Sequence, residues 1–325
     1  MPSPEPPSSR IRRPPARAPE PQPVAGPPTA AAVFLVLTLE PGGAAVAREV
    51  LGAVEGLTRS FGFGHPEGRL TCVAGIGATA WEAVYGSPRP AGLHPFRELA
   101  GPRHRAPATP GDLLFHLRAD RPDLCFALAA ELVRRLGDAA RVQDEVQTFA
   151  YYDSRNLLGF VDGTENPVGD LAADTALVGD EDPAFAGGSY VLVQKYLHDV
   201  EAWGKLTVEE QERVIGRTKL TNLERDDAPG SHVDVNTLTA PDGTELRVLR
   251  GAMPFGRPGH GEFGTYFVVY ARDPEVPATM LRRMFLGTDG AAAPDPILDF
   301  SRAATGTAFF APSARFLKEA GGDGD

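Results

Sequence analysis

Three polar residues stand where the surrounding chain reads as core or strand. Asp162 ends the apolar run of NLLGFVDGTENP, residues 156–167, directly before a glycine. Two readings fit it: a turn residue closing a strand, which Asp-Gly pairs favour, or a carboxylate held in a pocket for proton chemistry. His232, in PGSHVDVN, lies at the exit of a loop and just before a β-prone segment. Arg250 ends TELRVLRG, where alternation puts Leu246, Val248 and Arg250 on one face. An arginine sharing a face with apolar side chains is either an ordinary edge-strand residue or one with an anionic partner.

Other chemistries have no support. The histidines are His65, His94, His104, His116, His198, His232 and His260, and none are spaced to share a helix face around zinc. His116, mid-strand in LLFHLRA, reads as a structural residue. Cys72 and Cys125 lack any CxxC or CxxCH setting, which removes thiolate zinc sites, iron–sulfur clusters and covalently attached haem. Both are expected to be buried. No GxSxG, Walker loop or GxGxxG falls in a strand–turn–helix context.

The elements that must position these residues fall into two halves. AAVFLVLTLE predicts a strand, and the helical spacing of Val46, Val50, Val54, Leu57 and Phe61 predicts a helix behind it. LTCVAGIG and Leu113–Arg118 read as buried strands. Leu124, Leu128, Leu132 and Leu136 then form one apolar helical stripe, with Pro122 in its first turn, Asp120 as a possible cap and Gly137 as its stop. In the second half GSYVLVQKY is a strand, and Thr207 with Glu210 makes a capping box. TYFVVYARDPEVPATMLRRMF echoes LLFHLRADRPDLCFALAAELV some 150 residues earlier. That echo predicts a duplicated α+β unit packed sheet on sheet.

The net charge of −11 argues against nucleic acid or an anionic membrane as partner. Residues 1–30 hold 11 of the 31 prolines. Residues 1–29 are therefore read as a disordered tail without an export signal, and the cytoplasm is the expected location. The apolar run after them is too short to span a bilayer.

Taken in order, GFVDGTENP, GGSYVLVQKYLHDVEAW, EEQERVIGRTK, GSHV, LRGAMPFG, GTYFVVYARDP and MFLGTDG resemble the dye-decolourising peroxidase family, in its compact bacterial form, over residues 31–318. The resemblance implies an α+β fold of two ferredoxin-like halves with antiparallel sheets packed together, divided as 30–153 and 154–318, with a flexible tail at 319–325. It implies haem b in the second half and a hydrogen-peroxide-dependent oxidation of small organic reductants, such as dyes and phenols, via a ferryl intermediate. His232 matches the iron ligand, Asp162 the distal acid and Arg250 the distal arginine. Asp295 matches the carboxylate that accepts the ligand histidine's other N–H. Gly163, Thr164 and Glu165 match the loop along the haem, and Arg217 is a weaker candidate for a propionate partner.

One departure stands out. Ala252 occupies a place where the family often has a polar asparagine or serine, which keeps open a haem-binding or haem-handling protein with weak turnover. Ser231 and Asn236 lie near the site in sequence. Tyr190, Tyr196, Trp203 and Tyr266 are candidates for electron transfer, or simply aromatic packing. A homo-oligomer is expected, with no membrane or nucleic-acid partner. The ending FLKEAGGDGD lacks an apolar extension, so no encapsulin cargo role is expected.

Overall fold

A computed structural model describes residues 20–287 and 293–322. Residues 1–19 of the tail expected over 1–29, the last three residues and part of the MFLGTDG motif lie outside the described residues. The first half runs β1 (Ala31–Leu39), α1 (Ala44–Gly62), β2 (Thr71–Gly77), β3 (Leu113–Ala119), α2 (Pro122–Leu136) and β4 (Ala140–Phe149). The second runs β5 (Ser189–His198), α3 (Val208–Ile215), α4 (His232–Asn236) and the short strands β6 (Leu249–Arg250) and β7 (Met253–Arg257). It continues with β8 (Glu262–Ala271), α5 (Glu275–Leu286) and β9 (Thr307–Ala311).

The spatial order is β2-β3-β1-β4 in one half, and β6 and β7 beside β8-β5-β9 in the other, all antiparallel. Numbered within each half, both read 2-3-1-4, so the duplication seen as a faint echo in sequence is a duplication of topology. The halves are not separate sheets. β9 pairs with β2 through Phe309–Gly77 and Phe310–Ile76, which makes the sheet continuous. It curls so that its halves face each other over Phe34, Val36, Val193, Tyr266, Val268 and Phe309. Along β8, period-2 alternation sends Tyr266, Val268 and Tyr270 into that core, and Thr265, Phe267 and Val269 to the other face.

Outside the first half-sheet, α1 and α2 close a second core. All four leucines of the predicted stripe are buried, each contributing about 1.5–3 kcal/mol of transfer free energy. Two local expectations fail. Val46 faces outward, because α1 turns Ala47 and Leu51 inward beside the expected Val50 and Val54. Asp120 caps nothing on α2, since its carboxylate is taken by Arg69 and the Ala30 N–H.

Parts of both segments expected as tail belong to the folded body. Gln22 and Val24 are buried, and the Gln22 amide bonds the backbone of Ala74 and Pro312. At the other end a helix, α6 (Ala314–Gly321), runs through residues 319–321. Both cysteines are buried. No helix among the described residues is long and apolar enough to cross a membrane.

Candidate active site

The outer face of the second half-sheet is not sealed by a long helix. Residues 199–248 wrap over it, and a cavity opens between them, β8 and α5. Its empty space, mouth included, is about 1240 Å³. Phe267, Val269, Met280, Leu281, Met284 and Ile297 give it apolar walls. Asp162, Gly163, Thr164, Glu165, Arg217, His232, Arg250 and Ala252 all line it. Asp295 does not. It is completely buried behind His232.

His232 opens α4, where the sequence suggested an approach to a strand. Ser231 is the reason: it caps the helix, accepting the Asp234 N–H on its hydroxyl at 3.4 Å. His232 Nδ1 lies 2.7 Å from Asp295 Oδ2. The other carboxylate oxygen accepts the Ile297 N–H at 3.0 Å. Asn236 adds its amide, donating to the His232 carbonyl at 2.8 Å and reaching Asp295 Oδ2 at 3.3 Å. Ser231 and Asn236 therefore both serve the imidazole. With Nδ1 held by a carboxylate, Nε2 is the nitrogen left for the cavity, as in carboxylate–histidine–metal triads.

Asp162 sits in a turn after all, and the turn faces the cavity. Gly163 has φ +75, a left-handed conformation that glycine adopts without strain, and its N–H donates to Asp162 Oδ1 at 3.0 Å. Burial pushes the Asp162 carboxyl above its usual range, while the Arg250 charge and the Gly163 N–H pull against that rise. Thr164 accepts from the Asn222 amide at 2.8 Å, and Glu165 pairs with Arg217. Arg217, nearly buried, also meets Glu224 at 3.3 Å. It is a rim cation already shared between two carboxylates.

The alternation read through Leu246, Val248 and Arg250 is broken. Glu245–Leu246 pairs with Leu238–Thr239 in its own ladder, and Leu249–Arg250 pairs with β8. Arg250 is held by a residue that sequence reasoning passed over. The Asn166 amide accepts the Arg250 N–H at 2.9 Å and donates to the Arg250 carbonyl at 2.7 Å. It acts as a substitute strand on the free side of β6. One short turn, residues 162–166, thus delivers the carboxylate and fixes the arginine. Nothing in the spacing of GTENP signals it, because the partner lies 84 positions away.

His198 was also missed. It lines the cavity, and its ring nitrogens bond the hydroxyls of Thr265 at 2.9 Å and Ser301 at 2.7 Å. Burial lowers this imidazole to about 4, so it is neutral. Tyr190, Tyr196, Trp203 and Tyr266 are all buried. Among the described residues no group of three His, Cys, Asp or Glu side chains could hold a bare metal ion. One imidazole facing an apolar slot with a cationic rim suits a flat macrocycle that carries its own iron and acidic substituents.

Comparison with known proteins agrees with that fit. The Dyp-type peroxidase N-terminal and C-terminal family profiles match residues 21–150 and 153–316. A dye-decolorizing peroxidase of Mycobacterium tuberculosis is 53% identical over 300 residues, 91% of this chain and 89% of the relative. DyPB of Rhodococcus jostii RHA1 superposes with a TM-score of 0.89 at 56% identity, covering 92% of this chain and 97% of that one. Variants of that protein have been solved in complex with heme. The encapsulated DyP-type peroxidase of Mycobacterium smegmatis superposes with a TM-score of 0.91 at 53% identity, covering 93% and 98%. That likeness conflicts with the expectation of no encapsulin cargo role, which rested only on the polar C-terminal residues.

Proposed function

Given that the chain belongs to the dye-decolourising peroxidase family and is a haem peroxidase, we propose how Asp162, Arg250, His232 and Asp295 divide its reaction with hydrogen peroxide. Haem b, when bound, supplies the iron at which the O–O bond breaks and the store of oxidising equivalents drawn on afterwards. His232 Nε2 would hold that iron, and Asp295 accepts the Nδ1–H, fixing the tautomer and raising the basicity of the ring. Asp162 takes the proton from one peroxide oxygen and returns it to the other, which leaves as water. Its raised pKa makes it a stronger base than a surface carboxylate, and the Arg250 charge keeps it ionised. Arg250 also stabilises the negative charge that builds on the departing oxygen. Gly163, Thr164 and Glu165 would flank the haem, and Arg217, already paired with Glu165, would offer its charge to an acidic substituent of the porphyrin.

The observation that carries this reading is the convergence of Asp162, His232 and Arg250, far apart in sequence, on one apolar-walled cavity. Small organic reductants are the electron donors, and the cytoplasm is the location. Haem handling with weak turnover is not favoured, because the relatives above 50% identity are dye-decolorizing peroxidases. The deciding experiment is stopped-flow absorption of haem-loaded Asp162→Ala and Arg250→Ala after one equivalent of peroxide. The reaction should slow on the order of 10²–10⁴-fold for the acid and about 10²–10³-fold for the arginine. Wild-type rates in both, with haem retained, would overturn the assignment.

A further inference from the structure

The chain that delivers Asp162 belongs to neither half-sheet. Residues 155–161 fold back on themselves, with Arg155 bridged to Val161 and the Asn156 N–H donating to the Phe160 carbonyl at 2.9 Å. The buried side chains of this hairpin, Leu158 and Phe160, share a small core of their own with Trp203 and Ile215. The Trp203 indole N–H also donates to the Leu158 carbonyl at 2.9 Å. Hairpin and wrapping segment therefore form one layer, from which Leu158, Phe160, Asp162, Ile215 and Arg217 line the cavity.

Opposing features meet where the hairpin begins. Tyr152, Asp153 and Ser154 have φ +22, +48 and +63, three successive non-glycine residues in the left-handed region. Each costs free energy, and such backbone persists only where its surroundings hold it. The next residue does the holding. The Arg155 guanidinium donates to the Lys219 carbonyl at 2.7 Å, across to the wrapping segment, and to the Gly159 carbonyl at 2.8 Å in the hairpin itself. The Ser154 carbonyl accepts the Asp162 N–H at 2.8 Å, so a turn of the strained bridge carries the catalytic acid with it. Beyond the hairpin, the bonds between Asn166 and the Arg250 backbone fix a second pivot.

We propose that the hairpin, residues 155–162, is a lid that lifts to admit haem, with Tyr152, Asp153 and Ser154 as its sprung hinge and Arg155 as its catch. The inference rests on the haem peroxidase reading. Lifting the hairpin exposes Leu158 and Phe160 and breaks the Arg155 bonds, but it frees the three left-handed residues. That release keeps the open form within reach of the closed one. A porphyrin in the cavity gains the wall of Leu158, Phe160 and Val161 only when the lid is shut, and a ligand shifts such an equilibrium by the difference in its affinity for the two forms. Shutting the lid and placing Asp162 are one movement.

The test is limited trypsin digestion of the full chain, haem-free and haem-loaded, with the first cut located by mass. Arg155 is its own reporter, because trypsin reaches it only when the guanidinium leaves the Lys219 and Gly159 carbonyls. Cleavage after Arg155 should occur without haem and slow on the order of ten-fold with it, in step with the open population. Glycine adopts the left-handed region without strain, so Asp153→Gly and Ser154→Gly should favour the closed form. Each should slow both that cut and the transfer of haem to excess apomyoglobin, by about five- to thirty-fold. Arg155→Ala removes the catch and should speed haem transfer; the glycine variants cover the case in which it does not fold. Equal cleavage with and without haem, or glycine variants that release haem as fast as the wild type, overturns the lid. A wild type that takes up no haem overturns the peroxidase reading itself, and the lid with it.

Discussion

The two halves share one strand order and treat their outer faces in opposite ways. In the first, residues 40–70 join strands one and two through the long helix α1, which packs Ala47, Leu51 and Val54 against the sheet. In the second, residues 199–248 make the same connection through short helices and turns, and hold back from the sheet. The space left behind is the cavity. Function therefore came from the connection rather than from the strands: the half that gave up a packed helix gained room for a cofactor, and its short elements present His232 and Arg217 to that room.

His232→Ala bears hardest on this contrast. Without the imidazole the cavity has no ligand for iron, so the purified protein should lose most of its Soret absorbance while its far-ultraviolet dichroism persists. A full haem complement would mean that apolar walls alone suffice. Next comes packing. Leu128→Ala, in the sealed half, should cost about 2–5 kcal/mol of unfolding free energy. Leu281→Ala, on the cavity wall, should cost the haem-free protein clearly less, because the space beside it is already empty. Equal shifts in denaturant midpoint would show that the second half is as tightly packed as the first.

The pH dependence sharpens the electrostatics. Asp162 accepts a proton only while ionised, and burial raises its pKa above the ordinary 3.8. The peroxide reaction should therefore fall as pH is lowered, with a midpoint above that value. Removing the opposing charge in Arg250→Leu should move the midpoint higher still, and a midpoint that moves down would reverse the assigned sign. The smallest effect is expected from Ala252→Asn, which adds one hydrogen-bond donor to the cavity wall. A typical net hydrogen bond of about 1 kcal/mol corresponds to roughly a five- to ten-fold faster peroxide reaction.

Much of this was legible in the chain. Strand periodicity, the leucine stripe on α2 and the capping box at Thr207 are local signals, and they became local structure. The site residues were named through a family resemblance, since no spacing joins Asp162 to His232 or Arg250. The failures have a common cause, which is competition from partners distant in sequence. Asp120 looked like a cap until Arg69 claimed it. Leu246 to Arg250 looked like one strand until two ladders divided it. Asn166 gave no signal because its amide finds its match 84 positions away. Gln22, inside a proline-rich stretch that reads as a tail, is the same device again, a carboxamide reading backbone groups in both directions.

That glutamine has a mechanical consequence. Its side chain ties β2 to the backbone at Pro312, and Glu20 accepts the Ala314 N–H at 2.8 Å, so the two ends of the folded body leave it side by side. A load applied to both ends, as by a tether or a translocating motor, would meet the Gln22 clasp first. The clasp would shear before any strain reached His232 or Arg250, and the chain could be gripped by its ends with its chemistry intact.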